Sequence, residues 1–141
     1  MAAESQVQPC LAVVIPCFNE AAHVIECVAR VLAEPIVKEV LLVDDGSTDG
    51  TDEVLRSVKD KRVQVVHHVV NHGKGAALRT GFAHATAELV TTQDADLEQD
   101  PRDFYRLVRP ILDNHADVVY GTRFPEGSRH EGQRFVHHWA N

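Results

Sequence analysis

The sequence predicts an α/β protein with three layers (α/β/α), in which helices cover both faces of a mostly parallel sheet. Five short runs rich in valine, leucine and isoleucine recur every 24 to 28 residues, a spacing typical of alternating strands and helices. Four of them, LAVVI, EVLLV, VQVV and DVVYG, are almost continuously apolar, as strands covered on both faces are. The five predicted strands begin near Leu11, Glu39, Val63, Leu89 and Asp117.

Helical patterns occupy the segments between these runs. Pro35 follows the first pattern where a helix would end, Thr51 or Asp52 is a candidate cap for the second, and the fourth starts near Pro101. The residues expected to face inward are Val24, Ile25, Val28, Val31 and Leu32 in the first helix, Val54, Leu55 and Val58 in the second, Leu78, Phe82 and Ala85 in the third, and Phe104, Leu107, Val108, Ile111 and Leu112 in the fourth.

Size and composition favour one globular domain. The chain has 141 residues, of which 44% are hydrophobic and 25% charged, far from the composition of a disordered chain. The apolar stretch Leu11 to Phe18 contains a proline and is much shorter than the roughly 20 residues of a membrane span, and no basic flank of a secretory signal precedes it. We therefore expect neither a membrane segment nor an export signal.

The net charge of −7 argues against broad electrostatic binding of nucleic acid or of an anionic bilayer. A phosphate would need a local device, such as a metal ion or a few placed basic side chains. The three cysteines are odd in number and form no C-x-x-C pair, so neither a disulfide framework nor a thiolate zinc site is indicated. A reducing, cytoplasmic setting fits this pattern.

Acidic residues follow the fourth predicted strand. Asp94, Asp96 and Glu98 lie within five positions, and if the strand has begun to turn they can face one cation. Ligation by oxygen alone favours Mg²⁺ or Mn²⁺ over zinc. A strand-end turn capped by aspartates is the alternative interpretation of a bare D-x-D.

Polar segments also follow the second and third strands. Asp45, at a strand's carboxyl end, can accept hydrogen bonds from ribose hydroxyls or a base N–H, whereas Asp49 is expected to serve the turn. Lys74 and Gly75 belong to an H-G-K-G segment that lacks the spacing of a P-loop, and no G-x-G-x-x-G follows the first strand. The sequence therefore argues against a P-loop ATPase and against a dinucleotide-binding oxidoreductase.

Other residues have ordinary structural interpretations. The pairs His67-His68 and His137-His138 are expected to have surface or packing roles, because adjacent residues on a strand point to opposite faces. Cys17 is expected to be a small buried residue beside the ligand pocket.

Taken jointly, the segments VVIPCFNE, VDDGSTDGT, NHGKGAALRTGF, QDADLEQDP and DVVYGTR resemble the family 2 glycosyltransferases, which have the GT-A fold. The resemblance covers about residues 11–124 and is greatest to polyprenyl-phosphate (dolichol-phosphate) mannosyl- and glucosyltransferases. It implies a domain division into a tail (1–10), a nucleotide-sugar-binding domain (11–124), and a mobile loop that begins an acceptor-side segment (125–141). The sequences of family members extend beyond this segment, so the chain is expected to be a donor-binding fragment or a naturally short protein.

The resemblance also implies roles for individual residues. The implied nucleotide-sugar site comprises Pro16, Phe18, Glu20, Asp45, Lys74, Gly75 and Asp94; the implied metal ligands are Asp96 and Glu98; and the implied catalytic groups are Asp94, Asp96 and Arg123, with Arg123 steadying the phosphates. Glu98 stands where many relatives have glutamine.

The implied reaction is an inverting transfer of a sugar from a nucleotide-diphosphate sugar, with Mg²⁺ or Mn²⁺ as cofactor. The implied acceptor is a polyprenyl phosphate or a glycan, which would bring the protein into peripheral contact with the inner face of the membrane. A homo-oligomer is compatible with this interpretation. The alternative is a non-catalytic module that binds a nucleotide-sugar and has a regulatory role.

Overall fold

A computed structural model describes residues 8–122, and its centre is a parallel sheet. Its strands are β1 (Leu11–Cys17), β2 (Val37–Asp45), β3 (Val63–His68) and β4 (Leu89–Thr92), in the order β3-β2-β1-β4. Each neighbouring pair in this order is parallel. The prediction of a mostly parallel sheet is therefore confirmed for the part of the chain that the structure describes.

Helices cover both faces of this sheet. They are α1 (Val24–Leu32), α2 (Thr51–Arg56), α3 (Lys74–His84) and α4 (Phe104–Leu112), the last preceded by a 3₁₀ turn at Pro101–Asp103. One core cluster joins β1 and β2 to the buried faces of α1, α2 and α4, and a second joins Ala12, Val14 and Leu41 to Leu78 of α3. The three-layer prediction is confirmed. Within residues 8–122, none of the helices combines the length and the apolar character needed to cross a bilayer.

Three residues expected to face inward are exposed instead. Ile25 is 45% exposed, Phe82 43% and Leu112 44%. The buried seam of α1 runs through Val24, Cys27, Val28 and Val31, so Ile25 lies beside it. In α3 the sheet contact is made by Ala77 and Gly81, which turns Phe82 toward solvent, and Leu112 is the last residue of α4.

The predicted cap of the second helix is wrong. Gly50, with a φ of 93°, precedes Thr51, and neither Thr51 nor Asp52 caps the helix with its side chain. The carboxylate of Asp49 accepts hydrogen bonds from the backbone N–H and the hydroxyl of Thr51. Asp49 therefore serves the turn, as expected.

The predicted fifth strand is absent from the described residues. The segment 118–122 is irregular, and Val118 and Tyr120 are 64% and 90% exposed. A strand requires a neighbour for its backbone groups, and a cavity of about 680 Å³ lies between β4 and residues 119–122. The apolar run DVVYG therefore pairs with no strand among the described residues.

Close packing of α3 on the sheet depends on Gly81. A Cβ atom built at this position would lie 2.2 Å from Cγ1 of Val14, which is fully buried. We expect Gly81→Ala to lower the free energy of unfolding by about 1–3 kcal/mol, the usual cost of overpacking a core. Urea denaturation measures this loss. Gly75→Ala, where a Cβ would meet nothing within 4 Å, is the matched control, and an equal loss in both variants would contradict the packing argument.

Candidate functional site

A cleft of about 290 Å³ lies beyond the carboxyl ends of β1, β2 and β4. In open α/β sheets this is the position at which ligands bind. Its walls include the site residues predicted from the sequence, namely Pro16, Phe18, Glu20, Asp45, Lys74, Asp94 and Asp96. Cys17 also lines it, as expected, and Asn71, Ala77 and Ala95 complete the lining. Sequence reasoning gave the two alanines no role, because small apolar residues carry no distinguishing signal.

Hydrogen bonds to the loop after β2 hold the loop after β1. The N–H of Asn19 donates to Ser47 Oγ at 3.0 Å, and the N–H of Thr48 donates back to Asn19 Oδ1 at 2.9 Å. The N–H of Glu20 donates to Thr51 Oγ1 at 2.9 Å. These bonds fix the backbone that presents Phe18 and Glu20 to the cleft.

Asp45 fastens the loop after β3 to the end of β2. Its side chain is buried and accepts hydrogen bonds from the N–H of His72 (3.0 Å) and the N–H of Gly73 (2.8 Å). Its Oδ1 also lies 2.6 Å from Nδ1 of His68, and Nε2 of His68 lies 2.9 Å from the hydroxyl of Thr80 in α3. Asp45 thereby positions the loop that leads into Lys74.

These hydrogen bonds stabilise the ionised form of Asp45. Burial alone would raise its pKa, but hydrogen bonds from the His72 N–H, His68 and the Gly73 N–H outweigh burial and hold the pKa below its ordinary value. Asp45 is therefore a carboxylate at neutral pH.

Gly46 allows the loops after β2 and β3 to touch. Its φ is 73°, and a Cβ atom there would lie 2.6 Å from the backbone nitrogen of Asn71. Glycine is the residue that this conformation and this close approach require.

Lys74 and Asp94 form an ion pair in the cleft. Nζ of Lys74 donates to Oδ1 of Asp94 at 2.5 Å, and the lysine side chain is 60% exposed. The Asp94 N–H donates to Oε1 of Gln99, and the buried Gln93 donates from Nε2 to the Gln99 carbonyl at 3.2 Å. The two glutamines thus hold the Asp94 loop in shape. Sequence reasoning missed them, although an amide side chain buried at a strand end indicates such a role.

The other site residues predicted from the sequence do not all line the cleft. Asp96 is exposed in the cleft and accepts the Glu98 N–H at 3.0 Å, with Leu97 between them at a φ of 67°. Glu98 lines the neighbouring cavity of about 680 Å³, and Gly75 lies beside Lys74 in the first turn of α3. Arg123 and the segment 125–141 lie outside the described residues. Asp94 and Asp96 nevertheless line the cleft with carboxylate oxygens, the ligand type that Mg²⁺ and Mn²⁺ prefer.

The cysteines near the cleft are unsuited to nucleophilic chemistry. Burial raises the pKa of Cys17 far above its ordinary value. Burial, reinforced by the nearby charge of Asp96, raises the pKa of Cys27 to about 11. Both thiols therefore stay protonated at neutral pH, and a thiolate is the reactive form.

The adjacent histidines of β3 point to opposite faces of the sheet, as expected. His68 has the packing and hydrogen-bonding role described above, whereas Nδ1 of His67 lies 3.0 Å from Oδ1 of Asp52 and 3.4 Å from Oδ2 of Asp44. Among the described residues, Asp44, Asp52 and His67 form a group whose ligand atoms lie within 4.8 Å of one another. They come from β2, α2 and β3, on the side of the sheet away from α3.

Comparison with known proteins identifies relatives of this arrangement. The family described as "Glycosyl transferase family 2" matches residues 12–139. The undecaprenyl-phosphate 4-deoxy-4-formamido-L-arabinose transferase of Edwardsiella ictaluri is 39% identical over 116 residues, which cover 77% of this chain and 35% of that protein. The chain spans about a third to just under half of the length of the first curated relatives that it matches.

Two solved structures have a similar fold. The mannosyltransferase PcManGT from Pyrobaculum calidifontis, in complex with GDP-Man and Mn²⁺, has a TM-score of 0.58 and 33% identity, covering 63% of this chain and 28% of that one. Glucosyl-3-phosphoglycerate synthase from Mycobacterium tuberculosis, in complex with Mn²⁺, UDP and glucosyl-3-phosphoglycerate, has a TM-score of 0.58 and 30% identity, covering 74% and 40%.

Proposed function

The chain belongs to glycosyl transferase family 2, and from this premise we propose that it binds a nucleotide-diphosphate sugar for an inverting, metal-dependent transfer to a polyprenyl phosphate or a glycan. The observation that carries the proposal is a cleft lined by Lys74, Asp94 and Asp96, in which Lys74 contacts Asp94. A cationic side chain beside hard oxygen ligands supplies the groups that a diphosphate and a divalent metal ion would require.

The nucleoside is held by the loops after β1 and β2. Pro16, Phe18 and Glu20 contact the base and the ribose, and Asp45 lies beside them. A carboxylate has about four acceptor positions, and Asp45 uses three of them on His68, His72 and Gly73. One position therefore stays available for a ribose hydroxyl or a base N–H.

The diphosphate and the sugar are held on the opposite side. Asp96 would be the principal ligand of Mg²⁺ or Mn²⁺, with Glu98 as a further ligand, and Asp94 would lie near the sugar and the metal. The bound metal would neutralise charge on the departing diphosphate. Lys74 and Gly75 lie near the diphosphate or the base, and Arg123 steadies the phosphates. Two solved relatives are described with Mn²⁺ and a nucleotide, which supports this assignment.

The proposed acceptor is suggested by the name of a relative. A curated relative is named as an undecaprenyl-phosphate transferase, which favours a polyprenyl phosphate and hence contact with the inner face of the membrane. A phosphate acceptor is already ionised at neutral pH, so it needs no general base. In the inverting reaction its oxygen forms the new bond to the anomeric carbon as the bond to the nucleotide diphosphate breaks on the opposite face.

Calorimetry tests the donor assignment. UDP-glucose and GDP-mannose are titrated into the protein with Mn²⁺ and, separately, with EDTA. We expect one of them to bind with Mn²⁺ and to lose most of its affinity in EDTA, and binding that EDTA leaves unchanged would overturn the metal assignment. Transfer to a polyprenyl phosphate then separates an enzyme from the alternative, a non-catalytic nucleotide-sugar-binding module, which would bind the donor without turnover.

Lys74 provides a second test of the same cleft. We expect Lys74→Gln to weaken donor binding about 10-fold, equivalent to about 1.4 kcal/mol for the lost attraction to the diphosphate. The loss should shrink as salt is added, because screening weakens an exposed charge. Lys59→Gln, which removes an exposed lysine near the end of α2, is the control. Equal affinities for Lys74→Gln and the unmodified protein would place the diphosphate elsewhere.

A further inference from the structure

The cluster of Asp44, Asp52 and His67 lies outside the residues assigned to the donor. Nδ1 of His67 faces two carboxylate oxygens, Oδ1 of Asp52 at 3.0 Å and Oδ2 of Asp44 at 3.4 Å. Tetrahedral zinc, with bonds of about 2.0–2.1 Å, holds neighbouring donor atoms roughly 3.3–3.4 Å apart. The distances from His67 to the two carboxylates are therefore close to those between ligands of one ion, and all three ligand atoms lie within 4.8 Å of one another.

A long hydrogen bond joins His67 to Asp44 in this cluster. Oδ2 of Asp44 lies 3.4 Å from Nδ1 of His67, whereas an ordinary N–H···O hydrogen bond spans about 2.7–3.2 Å. Asp44 Oδ1 accepts the Ser47 N–H at 3.2 Å. The Asp44 side chain is only 5% exposed, so water has little access to this carboxylate. A buried carboxylate favours a cation beside it.

Arg56 supports the arrangement from outside. Its Nε lies 2.9 Å from Oδ1 and 3.1 Å from Oδ2 of Asp52, which holds that carboxylate toward His67. Partners of this kind orient metal ligands in protein sites.

We propose that Asp44, Asp52 and His67 bind a zinc ion that joins the end of β2, helix α2 and the end of β3. One imidazole nitrogen with two carboxylate oxygens is a donor set that suits zinc, whereas the oxygen ligands of the donor cleft suit Mg²⁺ or Mn²⁺. The ion would brace the segment that carries Ser47 and the first residue of α2, Thr51, and these two residues hold the backbone of Asn19 and Glu20. Its role is structural, and it stands whether or not the cleft binds a nucleotide-sugar.

Zinc titration of the chelator-treated protein tests the proposal. Calorimetry should show one zinc ion bound per chain with a micromolar or lower Kd, and binding should raise the midpoint of thermal unfolding. His67→Gln and Asp52→Asn should each weaken zinc binding at least about 10-fold, since even partners behind the ligands contribute 10- to 100-fold. Co²⁺ in place of zinc should give visible absorption in the unmodified protein that His67→Gln abolishes.

Controls separate this site from other zinc-binding groups. His115→Gln removes an exposed histidine, and a His137→Gln, His138→Gln double variant removes the second histidine pair; both should keep the zinc affinity. Asp96→Asn, in the donor cleft, should also keep it, which distinguishes failure of the zinc site from failure of the donor site. Circular dichroism verifies folding. If His67→Gln is unfolded, the variant Asp52→Asn, at a partly exposed position, provides the test. Zinc affinity that is unchanged in Asp52→Asn, or absent in the unmodified protein, would overturn the proposal.

Discussion

Replacing Asp96 with asparagine is expected to weaken Mn²⁺-dependent donor binding about 100-fold, because the charge stabilisation supplied by a metal ion is worth several kcal/mol. Asp96 is exposed in the cleft, and the described partner of its carboxylate is a backbone N–H from Glu98. Asparagine keeps the shape of the side chain and removes the negative charge. Donor titrations with Mn²⁺ and with EDTA should therefore differ in the unmodified protein and nearly coincide in the variant.

The matched control is Asp113→Asn. Asp113 is an exposed carboxylate that pairs with Arg109 at the end of α4, away from the cleft. It should leave the Mn²⁺ dependence of donor binding intact. Full metal dependence in Asp96→Asn would show that this aspartate is not the principal metal ligand.

Replacing Asp45 with alanine is expected to lower the free energy of unfolding by about 3 kcal/mol or more, because each buried donor left without its acceptor costs about 1–3 kcal/mol. The substitution leaves His68 and the N–H groups of His72 and Gly73 without their acceptor. The loop that leads into Lys74 should then loosen, so donor affinity should fall as well. Urea denaturation and calorimetry measure the two effects.

Asp49→Ala is the comparison for this variant. Asp49 also accepts backbone N–H groups, from Thr51 and Ala21, but it lies at the surface, where water can replace a lost acceptor. We expect a smaller loss of stability and of donor affinity than in Asp45→Ala. Equal losses in the two variants would show that burial of Asp45 does not govern its contribution.

The sheet could be predicted because its strands are recognisable locally. The runs that became β1 and β2 are buried almost throughout, and a continuous apolar run reflects burial on both faces. The fifth run has the same composition, but strand formation depends on a neighbour, which composition does not reveal. Likewise, apolar spacing predicted four helices but not that Gly81, rather than Phe82, would face Val14.

The candidate site was predictable for a related reason. Residues that directly follow parallel strands meet at one edge of the sheet, which brings Phe18, Asp45 and Asp94 around one cleft. The cluster of Asp44, Asp52 and His67 could not be predicted in this way. Its members come from two strands and a helix, and only the register between β2 and β3, which pairs Asp44 with His67, brings them together.

The hydrogen bonds between the loops after β1 and β2 also bear on the thermodynamics of association. Because Asn19, Ser47 and Thr48 hold one another before any ligand arrives, the backbone entropy of these walls is lost during folding and not upon binding. Binding then removes freedom mainly from exposed side chains such as Phe18 and Lys74, at about 0.5–1.5 kcal/mol for each one immobilised. A conformationally restrained donor analogue should consequently bind more tightly than a flexible one, because the cleft itself undergoes little further ordering on binding.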